Sequence, residues 1–159
     1  TKESIFNIIN HSNKFKINLK ESHVLDLFSG IGSFGIECLS RNSKKVYFVE
    51  KYKSAISILK KNLVGLNLQD KFEIIEKDVY DEDIFDNINI NFDIIFLDPP
   101  FKDNNIEKIL TKIKNQRILN KNGIIIIHRH KKEKKIINQN LTLLEEKKYG
   151  ISKIFFLSC

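Results

Sequence analysis

The sequence has little of four things. It holds two prolines, two cysteines and six glycines in 159 residues, and no apolar run of membrane-spanning length. Cys38 and Cys159 cannot build the framework of a disulfide-stabilised secreted domain, so a reducing cytoplasm is the expected setting. Runs such as Ile124 to Ile127 fall far short of the roughly 20 apolar residues a spanning helix needs, which excludes a transmembrane helix. The opening stretch TKESIFNIIN lacks the basic, then apolar, then small-residue order of a signal peptide. There is no methionine, and the chain opens at Thr1, as expected of a piece of a longer chain.

What is present is one domain's worth of sequence with a basic balance. A length of 159 residues allows one compact unit over 1–159 with a real core, expected to be a monomer. Hydrophobic residues make up 42%, and 27 Lys and Arg stand against 20 Asp and Glu, a formal charge of +7. That excess favours a polyanionic partner, nucleic acid first. The chain is also rich in Lys, Asn and Ile, as AT-rich coding would make it, so part of the basicity is compositional.

Short β-branched or aromatic runs alternate with longer helical patterns, the mark of a βαβ succession and a parallel sheet. The spacing predicts strands at His23 to Phe28, Lys45 to Glu50, Phe72 to Glu76, Phe92 to Leu97 and Gly123 to His128. Helices are expected at Ser33 to Asn42, Tyr52 to Leu66, Asp81 to Asn87 and Asn105 to Leu119. LTLLEEKKYG and ISKIFFLSC, parted by Gly150, leave no room for a crossover helix and read as an antiparallel hairpin. The whole is an α/β, Rossmann-like pattern: a mostly parallel seven-stranded sheet with an antiparallel C-terminal hairpin and helices on both faces.

Three of the six glycines lie in GIGSFG, as Gly30, Gly32 and Gly35, between a strand and a helix. The spacing is that of a dinucleotide fingerprint, with Glu50 twenty positions beyond the first glycine. A dinucleotide would bring its pyrophosphate to this loop, and Asp26 just before it would repel that charge. A zwitterion fits better: the Asp26 carboxylate accepts from an ammonium group while loop amides hold a carboxylate. Glu50 can take both hydroxyls of a ribose. Asp78 in EKDVY is placed for an adenine amino group, with the Val79 amide beside it, or equally to cap the helix expected next.

Both prolines fall in Asp98-Pro99-Pro100-Phe101, directly after the apolar run FDIIFL. Two adjacent prolines remove two N–H donors and stiffen the chain, leaving a surface of acceptors. Such a surface suits an exocyclic amine on a nucleobase. Gripping its protons redirects a delocalised lone pair toward a methyl donor, a task for positioning and electrostatics without metal or covalent intermediate. Phe101 supplies a face on which an extruded base can stack. The plainer reading is an ordinary turn after a strand.

These residues together resemble class I methyltransferases dependent on S-adenosylmethionine (AdoMet) that carry [DN]-P-P-[FY], and most closely the bacterial RsmD family. KESIFNII is similar to that family's opening helix, VLDLFSGIGSFGIECLSR to its first motif and VYFVEKYKSAISILKKNL to its second βα unit. IIFLDPPF resembles its catalytic strand and loop, and KKYGISKIFFL its closing hairpin. The resemblance implies methylation of guanine N2 in small-subunit (16S) ribosomal RNA, free or in a ribonucleoprotein particle, with AdoMet as cofactor and S-adenosylhomocysteine as product. It implies a cofactor pocket of Asp26, Phe28, Gly30, Gly32, Glu50, Lys51, Asp78, Val79 and Asp98, and a target-base pocket of Asp98, Pro99, Pro100 and Phe101 as catalytic residues. Family members begin with a basic RNA-gripping segment that this sequence lacks.

Three other functions stay open. A DNA adenine-N6 or protein-glutamine methyltransferase shares the four-residue logic, although Asp98 and Phe101 tilt toward the guanine enzymes. An NAD-dependent oxidoreductase is disfavoured by Asp26, and a non-catalytic RNA-binding module keeps the same fold. His128 and His130 in HRH, without nearby carboxylates in sequence, read as structural or surface residues and no metal site is expected. The cluster Lys131 to Lys135 reads equally as a solvated connection or an RNA contact. Neither cysteine carries a nucleophile signal.

Overall fold

The computed structural model describes residues 2–133 and 140–159. The chain runs α1 (Lys2–His11), β1 (His23–Leu27), α2 (Ser33–Ser40), β2 (Lys45–Val49), α3 (Lys53–Val64), a 3-10 turn at Gln69–Lys71 and β3 (Phe72–Ile75). It continues through β4 (Phe92–Leu97), α4 (Ile106–Asn115), β5 (Leu119–His130), β6 (Thr142–Tyr149) and β7 (Ser152–Ser158). The strands form one sheet in the order β3-β2-β1-β4-β5-β7-β6. The first five pair in parallel, and β7 runs antiparallel between β5 and β6. This is the mostly parallel, Rossmann-like sheet with an antiparallel C-terminal hairpin expected from the strand inventory, and it agrees with the class I methyltransferase fold that the motif resemblance implies.

Side chains alternate across the strands, so each strand feeds two cores. Val24, Phe48, Phe96, Ile126 and Phe156 face one way, under apolar residues of α1, α2 and α3. Leu25, Val49, Leu97, Ile127 and Phe155 face the other, under Ile106, Ile109, Leu110 and Ile113 of α4. Those four recur at helical spacing, so α4 turns one apolar stripe inward. The run Ile124 to Ile127 is fully buried on both faces, the pattern of a central parallel strand. Each such side chain contributes about 1.5–3 kcal/mol of burial. β1 lies between β2 and β4, so the chain leaves it in opposite directions on its two sides. That reversal opens a crevice at the carboxyl ends of the parallel strands.

Apart from shifts of one or two residues at element ends, the structure departs from the sequence expectations at three places. No helix forms at Asp81 to Asn87, which is a succession of turns. Its amides bond three residues back, as in Ile84 N to Asp81 O at 3.2 Å and Asp86 N to Asp83 O at 3.0 Å. Lys112 of α4 donates to the carbonyls of Asp81 and Glu82, competing for the acceptors an α-helix would use. The helix expected at Asn105 to Leu119 ends at Asn115, because Arg117 takes a left-handed conformation (φ 53°) and the chain turns off. The strand expected at Gly123 to His128 is longer at both ends. Leu119 pairs with Phe92 of β4, and His130 pairs with Ser152 of β7. No helix among the described residues is long and apolar enough to cross a membrane. Lys134 and Lys135 of the basic cluster lie outside the described residues.

Candidate active site

β1 delivers Asp26 into the interior and then turns sharply. Phe28 adopts a left-handed conformation (φ 58°), which costs a non-glycine residue on the order of 1 kcal/mol or more. The turn lets Ser29 N donate to Val49 O at 3.0 Å, tying the loop to the end of β2. Gly30 is also left-handed, and a Cβ there would meet nothing within 4 Å, so its backbone stands open to the crevice. Gly32 starts α2 at φ 92°. Gly35 has a different duty: a Cβ would stand 2.8 Å from Val46 Cγ1 and press into the Phe48 ring. The third glycine of the fingerprint therefore serves helix-to-sheet packing and not a ligand.

Asp26 is 1% exposed, and its Oδ2 accepts from Gly35 N at 3.1 Å. Burial pushes its pKa up to about 8, assisted by the charges of Asp98 and Glu50 and opposed by the Gly35 hydrogen bond. A cation placed beside it would favour its ionised form. Glu50 is 7% exposed and held by backbone alone: Oε1 accepts from Gly30 N at 2.8 Å, and Oε2 from Lys51 N and Tyr52 N, each at 3.0 Å. Three of a carboxylate's roughly four acceptor positions are thus engaged, so grasping two ribose hydroxyls requires it to share or release an amide.

Asp78 caps no helix, since none follows. Its Oδ1 accepts from Tyr80 N at 2.9 Å and its Oδ2 pairs with Lys51 Nζ at 3.4 Å. The nearby Asp78 charge raises the Lys51 pKa. Val79 is buried in the α4-side core, and its N–H has no hydrogen bond among the described residues. It remains available to an acceptor in the crevice.

β4 ends in Asp98-Pro99-Pro100-Phe101, and a turn follows in which Asp103 N donates to Pro100 O at 2.9 Å. One of the acceptors expected from this loop is therefore used internally. Phe101 rides at the corner, 60% exposed, edge-on to His130 with ring centroids 5.1 Å apart. Tyr80 anchors the far side of the loop, its hydroxyl donating to the Asp103 carboxylate at 2.8 and 2.9 Å. Burial and that carboxylate push the phenol's pKa well above its ordinary range. Arg129 of β5 adds a second anchor, with Nη2 on Asp103 O at 2.8 Å and on Glu133 at 3.2 Å.

Three clefts meet at this end of the sheet. One of about 410 Å³ is bordered by Asp26, Gly30, Phe34 and His128. A second, of about 280 Å³, is bordered by Glu50, Lys51, Asp78, Val79 and Pro100. A third, of about 190 Å³, lies between Pro99, Phe101, His130 and Ile151. Among the described residues Asp98 alone borders all three. The crevice thus gathers every residue expected there except Gly32, which sits beneath it at the start of α2.

Sequence reading missed His128, Arg129 and Tyr80. The HRH histidines read in sequence as structural or surface residues rather than metal ligands, with no catalytic partner in view; among the described residues no group of three or more His, Cys, Asp or Glu able to hold a metal is found. His128 instead sits with Nδ1 2.8 Å from Asp98 Oδ1. The signal that could have found it is its place at the end of the strand next to the Asp-Pro-Pro-Phe strand. Cys38 is buried, and burial raises its thiol pKa well above normal, in keeping with an inert side chain.

The model of the family Conserved hypothetical protein 95 matches residues 1–158. Ribosomal RNA small subunit methyltransferase D of Haemophilus influenzae is 37% identical over 134 residues, which cover 84% of this chain and 69% of that protein. A conserved hypothetical protein from Streptococcus pyogenes superposes with a TM-score of 0.82 at 28% identity, over 99% of this chain and 94% of the other. A protein solved in complex with S-adenosylhomocysteine shares the fold at a TM-score of 0.74 and 19% identity, over 99% of this chain and 49% of the other. By the match along its length and the likeness of its relative, the chain belongs to the Conserved hypothetical protein 95 family, the RsmD family of rRNA methyltransferases.

Proposed function

We propose that this chain uses AdoMet to methylate guanine N2 in 16S ribosomal RNA, the modification of the guanine-966 type, and that it works in the cytoplasm as a monomer. The residues fit the cofactor. Asp26 offers a buried carboxyl to the methionine ammonium, and the open backbone at Gly30 faces the same cleft. Glu50 and Asp78, with Lys51 and the Val79 N–H, suit the ribose and adenine. The cofactor, when bound, supplies the electrophilic methyl group.

The position of Asp98 carries the reading. It borders both cofactor clefts and the pocket beside Phe101, so one carboxylate touches the donor and the acceptor side. A guanine stacked on Phe101 would gain roughly 1–3 kcal/mol. Its N2 protons would then meet Asp98 and the carbonyl oxygens of the proline loop. Holding those protons turns the nitrogen lone pair toward the methyl group, and Asp98 takes the proton that the methylated nitrogen sheds. Acceptors aimed where positive charge develops lower the barrier without any covalent intermediate.

The test is methyl mapping. 16S RNA and small-subunit particles from a strain lacking the enzyme are incubated with tritiated AdoMet, and the labelled nucleotide is identified. Label on guanine N2 supports the reading, and the better acceptor of the two substrates settles free RNA against particle. Label on adenine or on protein glutamine would overturn it.

A further inference from the structure

We propose that His128 is the positioning residue for Asp98, and that Ser152 of the closing hairpin sets the tautomer of His128. The inference rests on the reading of Asp98 as the amine acceptor. It begins from a consequence of the two prolines. An aspartate at a turn ordinarily fixes its own carboxylate by accepting from a backbone N–H two residues on. After Asp98 the next two residues are Pro99 and Pro100, which have no N–H to give. Among the described residues no backbone amide reaches the Asp98 carboxylate, whereas Asp26 and Glu50 are both held by amides. The loop that strips donors away from the substrate amine also strips them from the catalytic aspartate.

A side chain from the neighbouring strand fills that need. Leu97 pairs with Ile127, so Asp98 and His128 emerge side by side from the ends of β4 and β5. His128 Nδ1 lies 2.8 Å from Asp98 Oδ1, and Nε2 lies 2.9 Å from Ser152 Oγ. An ionised carboxylate only accepts, so Nδ1 carries the proton and donates it. In the neutral ring Nε2 is then the acceptor, and the Ser152 hydroxyl donates to it. Oδ1 of Asp98 is thereby engaged and Oδ2 is left for the substrate. Ser152 also explains why the antiparallel strand matters to the site: it brings the hydroxyl up beside β5, where His128 pairs with Ile154 and His130 with Ser152 itself.

The experiment compares D98A, H128A, H128N and S152A with the wild type in methyl transfer to the RNA or particle substrate, with kcat and KM separated. AdoMet affinity is read by calorimetry and the His128 ring by nitrogen NMR shifts. The expected result is a fall in kcat of about 10–100-fold for H128A, the usual cost of losing an orienting partner, with KM and AdoMet affinity unchanged. H128N recovers most of the rate, because its amide nitrogen can stand where Nδ1 stood. The wild-type ring shows Nδ1 protonated and Nε2 bare, and S152A weakens that preference while lowering kcat less than H128A. Wild-type kcat in H128A alongside an inactive D98A would overturn the inference and leave the role of Asp98 standing. H128N as slow as H128A, or a wild-type ring protonated at Nε2 alone, would also overturn it. An active D98A would instead remove the reading on which it rests.

Discussion

The two halves of the crevice are built differently. On the β1 and β2 side, Asp26 and Glu50 are buried and held by backbone amides, inside a loop anchored to the sheet. On the β4, β5 and β7 side, the Asp98 side chain is 48% exposed and held by one histidine, and Phe101 stands in the open. Backbone donors cannot change rotamer, so the first half is set before any ligand arrives. On the proposed function the second half admits part of a polymer, which a closed amide cage would exclude. Main-chain amides fix the carboxyls of one half, whereas a side chain fixes the carboxylate of the other.

The largest expected effect falls on the rim. D98A should lower kcat by about 10²–10³-fold, the cost of losing one group aimed at transition-state charge, and leave AdoMet affinity nearly intact. Turnover by this variant at the wild-type rate would erase the functional difference between the two halves. F101A should raise KM for RNA by about fivefold or more, from the loss of roughly 1–3 kcal/mol of stacking. Because Phe101 is exposed, its Tm should stay within about 2 °C. A Tm drop without a change in KM would make Phe101 a packing residue.

On the amide-built side the effects should appear in stability. G35A forces a methyl group against Val46 and the buried Phe48, a clash costing about 1–3 kcal/mol and therefore several degrees of Tm. Rate per folded molecule should change little. A stable but inactive G35A would mean that this glycine serves the ligand after all.

Asp26 gives the finest test. Its pKa stands at about 8 in the folded chain against 3.8 as the ordinary value, with burial as the main cause. A group raised in the folded state stabilises fully below its unfolded pKa, and that stability is lost as pH rises through the folded value. D26N should therefore melt higher than the wild type at pH 8, with the gap closing as the pH falls toward the ordinary value of 3.8, and should bind AdoMet more weakly. A gap that grows in acid would refute the buried, protonated Asp26. Wild-type affinity for AdoMet should rise with pH up to about 8, as the ammonium group meets an aspartate already ionised.

Much of this was legible in the chain. The alternation of strands and helices, the hairpin around Gly150 and the Asp-Pro-Pro-Phe loop are written in local periodicity and turn chemistry. The helix expected at Asp81 to Asn87 was misread because its competitor, Lys112, lies about 30 residues away. The fingerprint glycines carried the same spacing whichever way they were used, and only the contacts around Gly35 showed it to be a packing glycine.

By itself, then, the sequence determined the order of elements, the two motifs and the chemistry they favour, because each depends on residues close together along the chain. The tertiary structure decided what holds Asp98. His128 is 30 residues from it and Ser152 a further 24, and they meet because of strand register and the reversed direction of β7. Register is set by the whole core at once, since a slip of one residue would turn every side chain of β5 to the opposite face. No single stretch of sequence contains that information.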